Sequence, residues 1–270
     1  MSWQFTDDPD AFADRVWDLL AADPVANTVP LTVTSAARGG RRWSDDPMLF
    51  GWHEDGGAVL MTPPHELLLA RVPEGTLADL VNAMRGFALP GVNGEAGLAE
   101  RFAAAWPEEH TVFLQLRLYG LGTLVPPDPP PPGAARVARG DELEVAARWL
   151  AAFEEETGVT RTDTHAGARE RGEDGRLWLW EDADGRPVSL AARTPAAVGV
   201  ARIAPVYTPP EHRRRGYGGA ITAACSADAL ARDADHVVLF ADADNPTTNA
   251  IYQQIGFRPV SDWSTLRFTR

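Results

Sequence analysis

The chain has 270 residues, of which 44% are hydrophobic and 23% charged, with a single cysteine, Cys225. This composition is typical of a soluble globular protein, contains no apolar run of the ~18 residues that a membrane span needs, and excludes an internal disulfide. The net charge of −13 argues against general binding to nucleic acid or to anionic membranes. The acidic N-terminal residues lack the layout of a secretion signal, so we expect a cytoplasmic protein.

Helical periodicity recurs in the first half of the chain, and strands are expected between the helical segments. The predicted helices are Phe12–Leu20, Leu77–Phe87 and Leu98–Trp106, followed by a strand at Thr111–Tyr119. The proline-rich run Val125–Gly133 can form neither a helix nor a central strand, and it predicts a stiff spacer. We therefore predict a first domain over residues 1–124, a linker over 125–134 and a second domain over 135–270.

The second half alternates predicted strands and helices. Strands are expected at Ala135–Ala138, Leu177–Trp180, Val188–Arg193, Val198–Tyr207, His236–Ala241, Phe257–Val260 and Ser264–Phe268. Helices are expected from an Asp141 cap to Glu156, at Thr164–Arg171 and Gly219–Arg232, and from Asn245-Pro246 to Gly256. The unbroken apolar strand at His236 is typical of a parallel arrangement, so this half is predicted to be an α/β domain with a mixed sheet.

The two halves resemble each other. Each contains a strand ending in tryptophan, a turn of acidic and glycine residues, a second strand, a Thr-Pro turn and a third strand containing Ala-Arg. The paired segments are Leu49–Gly56 and Leu177–Gly185, Thr62-Pro63 and Thr194-Pro195, and Ala70-Arg71 and Ala201-Arg202. This self-similarity predicts two copies of one fold, with chance similarity between short β-meanders as the alternative.

The loop between the strand ending at Tyr207 and the next helix carries the strongest functional signal. It contains three consecutive arginines followed by Gly-Tyr-Gly-Gly, over Arg213–Gly219. Glycines let the backbone approach a ligand, the first N–H groups of a helix attract anions, and arginines add positive charge. The segment therefore predicts a phosphate or pyrophosphate site. It matches neither a Walker sequence nor the dinucleotide fingerprint.

Two ordered motifs in the second half resemble the GNAT family of acyl-CoA-dependent N-acetyltransferases. One is Arg213-x-x-Gly216-x-Gly218 after the strand ending at Tyr207, and the other runs from Asn245 to Phe257. The resemblance covers about residues 135–270. It implies a tandem GNAT-like acyl-CoA N-acyltransferase fold: an α/β architecture with a mixed central sheet, splayed parallel strands and flanking helices. The first half would be a degenerate copy, because only Pro73–Gly75 stands where the second half has the loop.

This resemblance implies a coenzyme A site and a proton donor. Backbone N–H groups at the helix start would hold the pyrophosphate, and the end of the preceding strand would pair with the pantetheine arm. Tyr252 matches the tyrosine that protonates the departing thiolate. The residues expected at the coenzyme are Val206, Tyr207, Thr208, Arg213, Arg214, Arg215, Gly216, Tyr217, Gly218, Gly219, Asn245 and Asn249.

Direct transfer also needs a group that takes a proton from the attacking amine. Glu155 and Glu156, at the end of the first helix of the second half, are the selected catalytic candidates. Glu154 and His165 are further candidates, and a solvated acidic helix end is the alternative for each carboxylate. The remaining histidines show no metal-ligand spacing, so no metal is expected.

The sequence thus predicts an acetyl-CoA-dependent N-acetyltransferase that acts on a primary amine, with a small molecule favoured over a protein as acceptor. Two alternatives remain open: a non-catalytic acyl-CoA-binding sensor, and an acyltransferase that uses another acyl-CoA. We expect no nucleic-acid or membrane partner and either a monomer or a homodimer.

Overall fold

A computed structural model describes residues 2–159 and 163–269 of the chain. The first half contains β1 (Gln4–Thr6), α1 (Pro9–Ala21), α2 (Thr28–Arg38), β2 (Leu49–His53), β3 (Gly57–Met61), β4 (Leu67–Arg71), α3 (Leu77–Met84), β5 (Gly91–Glu95), α4 (Ala96–Ala105) and β6 (His110–Leu121). The second half contains β7 (Ala134–Val137), α5 (Glu142–Thr157), α6 (Thr164–Glu173), β8 (Leu177–Glu181), β9 (Pro187–Arg193), β10 (Val200–Tyr207), α7 (Tyr217–Arg232), β11 (His236–Asp242), α8 (Pro246–Gln254) and β12 (Phe257–Phe268).

The order of elements is the same in the two halves. Each runs as one strand, two helices, three strands, a helix, a strand, a helix and a final strand. The connection that differs most lies between the fourth strand and the following helix. It comprises residues 72–76 in the first half, and residues 208–216, with a 3-10 turn at Pro210–His212, in the second. The α/β class and the mixed sheet predicted from the sequence are confirmed.

The chain folds into two compact units that are not continuous in sequence. One unit comprises Met1–Leu118, Ala241–Asn245 and Val260–Arg270, and the other comprises Tyr119–Phe240 and Pro246–Pro259. The C-terminal strand segment belongs to the first unit because Trp263–Arg267 pairs with β5. The predicted domain boundaries at residues 124 and 135 differ from the limits of these compact units and stay predictions.

In the first unit, β1 to β4 form an antiparallel meander, β4 pairs in parallel with β5, and β5 pairs antiparallel with β12. Leucines on β4, including Leu67 and Leu69, pack with Leu80 of α3 and Phe102 of α4 in one hydrophobic core. Such full burial of apolar side chains supplies most of the stability of a domain of this size. In this unit the helices α3 and α4 thus pack on the sheet and share one hydrophobic core with it.

In the second unit, β7 to β10 form an antiparallel meander, and β10 pairs in parallel with β11. Leu179 of β8 and Leu190 of β9 share a core with Leu150 of α5, so α5 covers one face of the sheet. On β9, Arg193 forms an ion pair with Asp233, which directly follows α7, and α7 packs against β9. Because neighbouring residues of a strand point to opposite faces, α7 covers the other face.

Three elements differ from the predictions, beginning with the short strand β1, which was not predicted. Helix α2 was not predicted, because its sequence Thr-Val-Pro-Leu-Thr-Val-Thr is rich in β-branched residues, which favour strands. Its packing against α1, with Leu31 and Ala37 buried, overrides this local preference. The two strands predicted at Phe257–Val260 and Ser264–Phe268 are one continuous strand, β12, because Trp263 to Arg267 continue the pairing with β5.

Candidate functional site

The end of β10 diverges from its parallel neighbour. Among the described residues, its pairs with β11 run from Val200 opposite His236 to Ile203 opposite Leu239, whereas β10 continues to Tyr207. Its pairing with β9 shifts register between Ile203 and Val206 and then continues through Tyr207. Pro205 lies in this interval and has no N–H to donate. This geometry suits an extended ligand that adds itself beside the end of β10.

The loop that follows β10 turns sharply into α7. Arg214 has φ +63° and Gly216 has φ +81°, and Gly216 is the N-cap residue of α7. A positive φ is uncommon for a residue other than glycine, and such backbone conformations concentrate at ligand-binding sites. The first backbone bond of α7 runs from Ala220 N to Gly216 O at 3.1 Å, and no side chain caps the helix. The first N–H groups of α7 are therefore available to an anion.

The three arginines of the loop have different environments. The Arg213 Nε donates to the Thr208 carbonyl at 2.9 Å, and its guanidinium lies 5.7 Å from the centroid of the Tyr207 ring. Arg214 and Arg215 are exposed and form no ion pair with any described residue. Two flexible positive charges therefore flank the start of α7, where the dipole of the helix also favours negative charge.

Glu156 joins α5 to the loop. Its carboxylate accepts from Arg213 Nη2 at 2.6 and 2.9 Å and from Tyr207 Oη–H at 2.9 Å. The pKa of Tyr207 is raised, first by burial and then by its hydrogen bond to this carboxylate. Glu155, in contrast, is exposed and has no partner among the described residues. The structure thus links Glu156 to the predicted phosphate arginine rather than leaving its carboxylate free to accept a proton.

We expect Glu156→Gln to tighten binding of acetyl-CoA about two- to fivefold, measured by isothermal titration calorimetry. The substitution frees Arg213 for a phosphate and removes a negative charge beside it. The effect is small because both side chains of the pair are 43% exposed and solvent screens them. Glu155→Gln removes the same charge one residue away and is the matched control. Equal affinities for the two variants would contradict this role of Glu156.

A hydroxyl pair fixes the start of the loop. The Ser189 Oγ–H of β9 lies 3.2 Å from the Tyr207 carbonyl, and Ser189 Oγ is 2.8 Å from Thr208 Oγ1. A Cβ at Gly218 would lie 3.6 Å from Thr208 Oγ1, so the loop passes close to the first turn of α7. Sequence reasoning missed Ser189, because a serine inside a strand carries no local signal for a contact 18 residues away.

Glycine also explains the close approach of α7 and α8. A Cβ at Gly219 would lie 3.1 Å from Ile251 Cγ2, which is tighter than ordinary van der Waals contact. The absent side chain therefore lets α8 pack against the first turn of α7. Tyr252 is the next residue of α8, so this contact brings its helix beside the start of α7.

Tyr252 is buried, and its hydroxyl makes no hydrogen bond to any described residue. Its ring centroid lies 6.1 Å from that of Phe257 and 6.5 Å from that of Tyr119. Burial raises the pKa of Tyr252 to about 12. The Tyr252 hydroxyl is not among the enclosed side-chain atoms of the described residues, so it is open to a ligand although the ring is buried.

The two asparagines of the second motif differ. Asn249 is buried, and its Oδ1 accepts from Tyr119 Oη–H at 3.0 Å. Asn245 is exposed and directly precedes α8, which begins at Pro246 as the Asn-Pro pair predicts. Their roles at the coenzyme stay predictions. Tyr119 was not singled out from the sequence, because it belongs to a strand far from the motif that it supports.

The comparisons with known proteins agree with this geometry. Residues 183–267 match the family model described as FR47-like protein. An acetyltransferase from the GNAT family of Colwellia psychrerythraea is similar over 100% of both chains, with 11% identity and a TM-score of 0.65. The chain has the GNAT fold. The GNAT resemblance inferred from the second half is thereby confirmed.

Two further solved structures share the GNAT fold. A GCN5-related N-acetyltransferase from Kribbella flavida is 22% identical, covering 90% of this chain and 96% of that one, with a TM-score of 0.56. A tandem GNAT protein from the clavulanic acid biosynthesis pathway is 14% identical, covering 98% of each chain, with a TM-score of 0.57. No curated protein sequence matches the chain.

The described residues contain neither a candidate metal site nor a helix able to span a membrane. Across residues 2–159 and 163–269, no three histidine, cysteine or acidic side chains are grouped so that they could hold a metal ion. Within the same ranges, every helix is too short or too polar to cross a membrane.

Cys225 is buried in α7, and burial raises the pKa of its thiol to about 12, so this thiol is not an activated nucleophile.

Proposed function

We propose that the chain transfers an acetyl group from acetyl-CoA to a primary amine. The observation that carries this proposal is the loop 208–216, where the diverging end of β10 leads into an uncapped helix start beside unpaired Arg214 and Arg215. The positive φ at Arg214 and Gly216 and the uncapped N–H groups fit a pyrophosphate. GNAT-fold relatives support acyl-CoA as the donor.

In this proposal, backbone N–H groups from Arg214 to Gly219 bind the pyrophosphate, and Arg213 adds a side-chain charge. The backbone of Val206 and Tyr207 pairs with the pantetheine arm and donates to the thioester oxygen, which favours the charge that develops there. Thr208, together with Asn245 and Asn249, contributes further contacts to the coenzyme. The amine nitrogen attacks the thioester carbon, an amide C–N bond forms, and the C–S bond breaks.

Tyr252 stabilises the departing sulfur. Its neutral hydroxyl is ready to donate, because its pKa of about 12 lies far above neutral pH. Complete proton transfer to a thiolate with the solution pKa of ~8.5 would be unfavourable, but the same burial also raises the pKa of an adjacent thiol. We therefore assign to Tyr252 a strong hydrogen bond to the sulfur, with the proton transferred as the thiolate departs.

The amine must lose one proton during the transfer. Glu155 and Glu156 are the two carboxylates that we consider for this step. Glu156 already accepts hydrogen bonds from Arg213 and Tyr207, so it fits a role in positioning the loop better than a role as base. Glu155 is exposed, so it could pass a proton to water.

The pH dependence follows from the raised pKa of Tyr252. For an amine without an acid group, we expect kcat/KM to rise with pH as the amine loses its proton. Tyr252 should cause no decline near pH ~10, where an unperturbed tyrosine would ionise. The folded-state pKa of about 12 means that Tyr252 stays protonated through this range. A falling limb near pH 10 in wild type that disappears in Tyr252→Phe would contradict the raised pKa.

The direct test of the proposed function is release of CoA from acetyl-CoA in the presence of a panel of primary amines, followed with a thiol reagent. Amine-dependent release supports an acetyltransferase. Tight binding of acetyl-CoA with no release for any amine would favour the sensor alternative. Faster release from succinyl-CoA or a longer acyl-CoA would instead identify a different acyl donor.

We further propose that the first half of the chain is a degenerate copy of the same fold without a coenzyme site. Its repeated order of elements supports this, and so does the short connection of residues 72–76 between β4 and α3. This connection contains Pro73 and lacks arginine. The role of this half would be structural.

A further inference from the structure

Arg202 lies on the face of the second unit's sheet that α5 covers. Its neighbour Ile203 stands opposite Arg193 of β9, whose side chain pairs with Asp233 next to α7. Directly opposed residues share a face, and successive residues alternate, so Arg202 points to the other face. That face carries Leu190 of β9 in the core built with α5, and α5 also packs against β10.

The guanidinium of Arg202 has no partner within residues 2–159 and 163–269. Its Nη1 is enclosed without a hydrogen-bond acceptor, and the side chain forms no ion pair with any described residue. Burial lowers the pKa of Arg202 to about 10, which still leaves the group charged at neutral pH. The residue as a whole is only partly buried, so a ligand can reach the guanidinium. A partly buried charge without a counter-charge is costly in a fold.

Two arginines of this unit that are more deeply buried than Arg202 are paired. Arg193 lies 3.0 Å from an oxygen of Asp233, and Arg176 lies 2.5 Å from Asp174. The guanidinium of Arg176 also donates to the Arg193 carbonyl at 3.1 Å. Arg176 and Arg193 therefore each have a carboxylate partner in this unit, whereas Arg202 has none among the described residues. A group from outside the chain is the natural counter-charge.

The position of Arg202 points to the acceptor rather than to the coenzyme. The predicted phosphate loop follows Tyr207, five residues along β10, which corresponds to roughly 16 Å at ~3.3 Å per residue of strand. The parallel pairing with β11 begins to open after Ile203, the residue next to Arg202. In the proposed function, the acyl arm enters from the loop end and its thioester lies at Val206, between the phosphates and Arg202.

We propose that Arg202 binds a carboxylate carried by the acyl acceptor, so that the substrate is an amine that bears an acid group. A planar guanidinium matches a carboxylate through two parallel hydrogen bonds, and a half-buried site strengthens them. The inference rests on the proposed function, because it requires that the amine attacks a thioester bound beside β10. It commits to a class of acceptor, namely amino acids and related amino carboxylates.

The test compares amino carboxylates with the amines that remain when the carboxylate is removed. The pairs are β-alanine and ethylamine, 4-aminobutyrate and propylamine, 6-aminohexanoate and pentylamine, and lysine and cadaverine. We expect at least one acid to exceed its amine by on the order of 100-fold in kcat/KM, because a site built to pair a charge rejects the analogue without it. Because the acids differ in chain length, the best substrate also indicates the distance between the bound carboxylate and the reacting nitrogen.

Arg202→Gln should abolish this preference. It should lower kcat/KM for the acid about 100-fold and change kcat/KM for the amine less than about threefold. The variant should melt no lower than wild type, because it removes an unpaired charge. Arg193→Gln is the matched control: it should melt lower, because Asp233 loses its partner, and it should keep the preference for the acid.

The outcomes separate the inference from the function on which it rests. A chain that binds no acetyl-CoA, or that releases no CoA with any acid or amine, overturns both. Amine-dependent release without preference for the acids, or a preference that survives Arg202→Gln, overturns the role of Arg202 alone. A preference lost equally in Arg193→Gln would also overturn it, because a general loss of structure would then explain the effect.

Discussion

Tyr252→Phe should lower kcat about 10²- to 10³-fold while leaving the dissociation constant of acetyl-CoA within about twofold of wild type. The substitution removes only a hydroxyl that makes no hydrogen bond to the described residues, so the fold loses no contact. The ring keeps its packing against Phe257. The loss therefore falls on the transition state, where the sulfur becomes negative, and it is measured by steady-state kinetics together with calorimetry.

Tyr119→Phe is the matched control for this prediction. It removes the same atom from a ring 6.5 Å away, measured between centroids, but that hydroxyl donates to Asn249. Its cost should therefore appear as a lower free energy of unfolding, by about 1 kcal/mol, with little change in kcat. If Tyr252→Phe kept wild-type kcat, or if both variants lost activity equally, Tyr252 would not be the proton donor.

Gly216→Val should weaken acetyl-CoA binding at least about 100-fold, because the proposed anion site at the start of α7 depends on the left-handed backbone of this residue. Gly216 has φ +81°, and a β-branched side chain is strained there whatever space surrounds it. Relief of that strain moves the N–H groups that follow. Isothermal titration calorimetry measures the loss directly.

Gly175→Val controls for strain alone. Gly175 has φ +67° in the turn between α6 and β8, and a Cβ there meets nothing within 4 Å. Each variant should lose about 1–3 kcal/mol of stability, which thermal unfolding reports. Only Gly216→Val should lose the ability to bind acetyl-CoA. Normal binding by Gly216→Val would show that the phosphates lie elsewhere.

The second half was predicted well because its signals are local. The Pro-Pro stop after Tyr207, the glycines before α7 and the Asn245-Pro246 helix start each act on neighbouring backbone, so residue order alone reveals them. The parallel partner of β10 followed from the unbroken apolar run of β11. The turn from β10 into α7 through residues 208–216 was predictable for the same reason, and its phosphate ligand stays a prediction.

The features that could not be predicted from the sequence are contacts between residues that lie far apart along the chain. The contact of Glu156 with Arg213 joins residues 57 apart, and the bond from Tyr119 to Asn249 spans 130. The C-terminal part of β12 belongs to the first unit because it pairs with β5. No local sequence pattern predicts this pairing. Arg202 was noticed only as part of an Ala-Arg repeat, because lack of a partner is a property of the folded chain.

The number of acetyl-CoA molecules bound per chain decides whether the chain has a single coenzyme site at the loop of residues 208–216. Calorimetric titration of the wild-type chain should give one site, and the Gly216→Val chain should give none, because the proposed site requires the loop at the start of α7 and the first half has only residues 72–76 in the corresponding place. Two sites in the wild-type chain, or one site that persists in the Gly216→Val chain, would contradict the account.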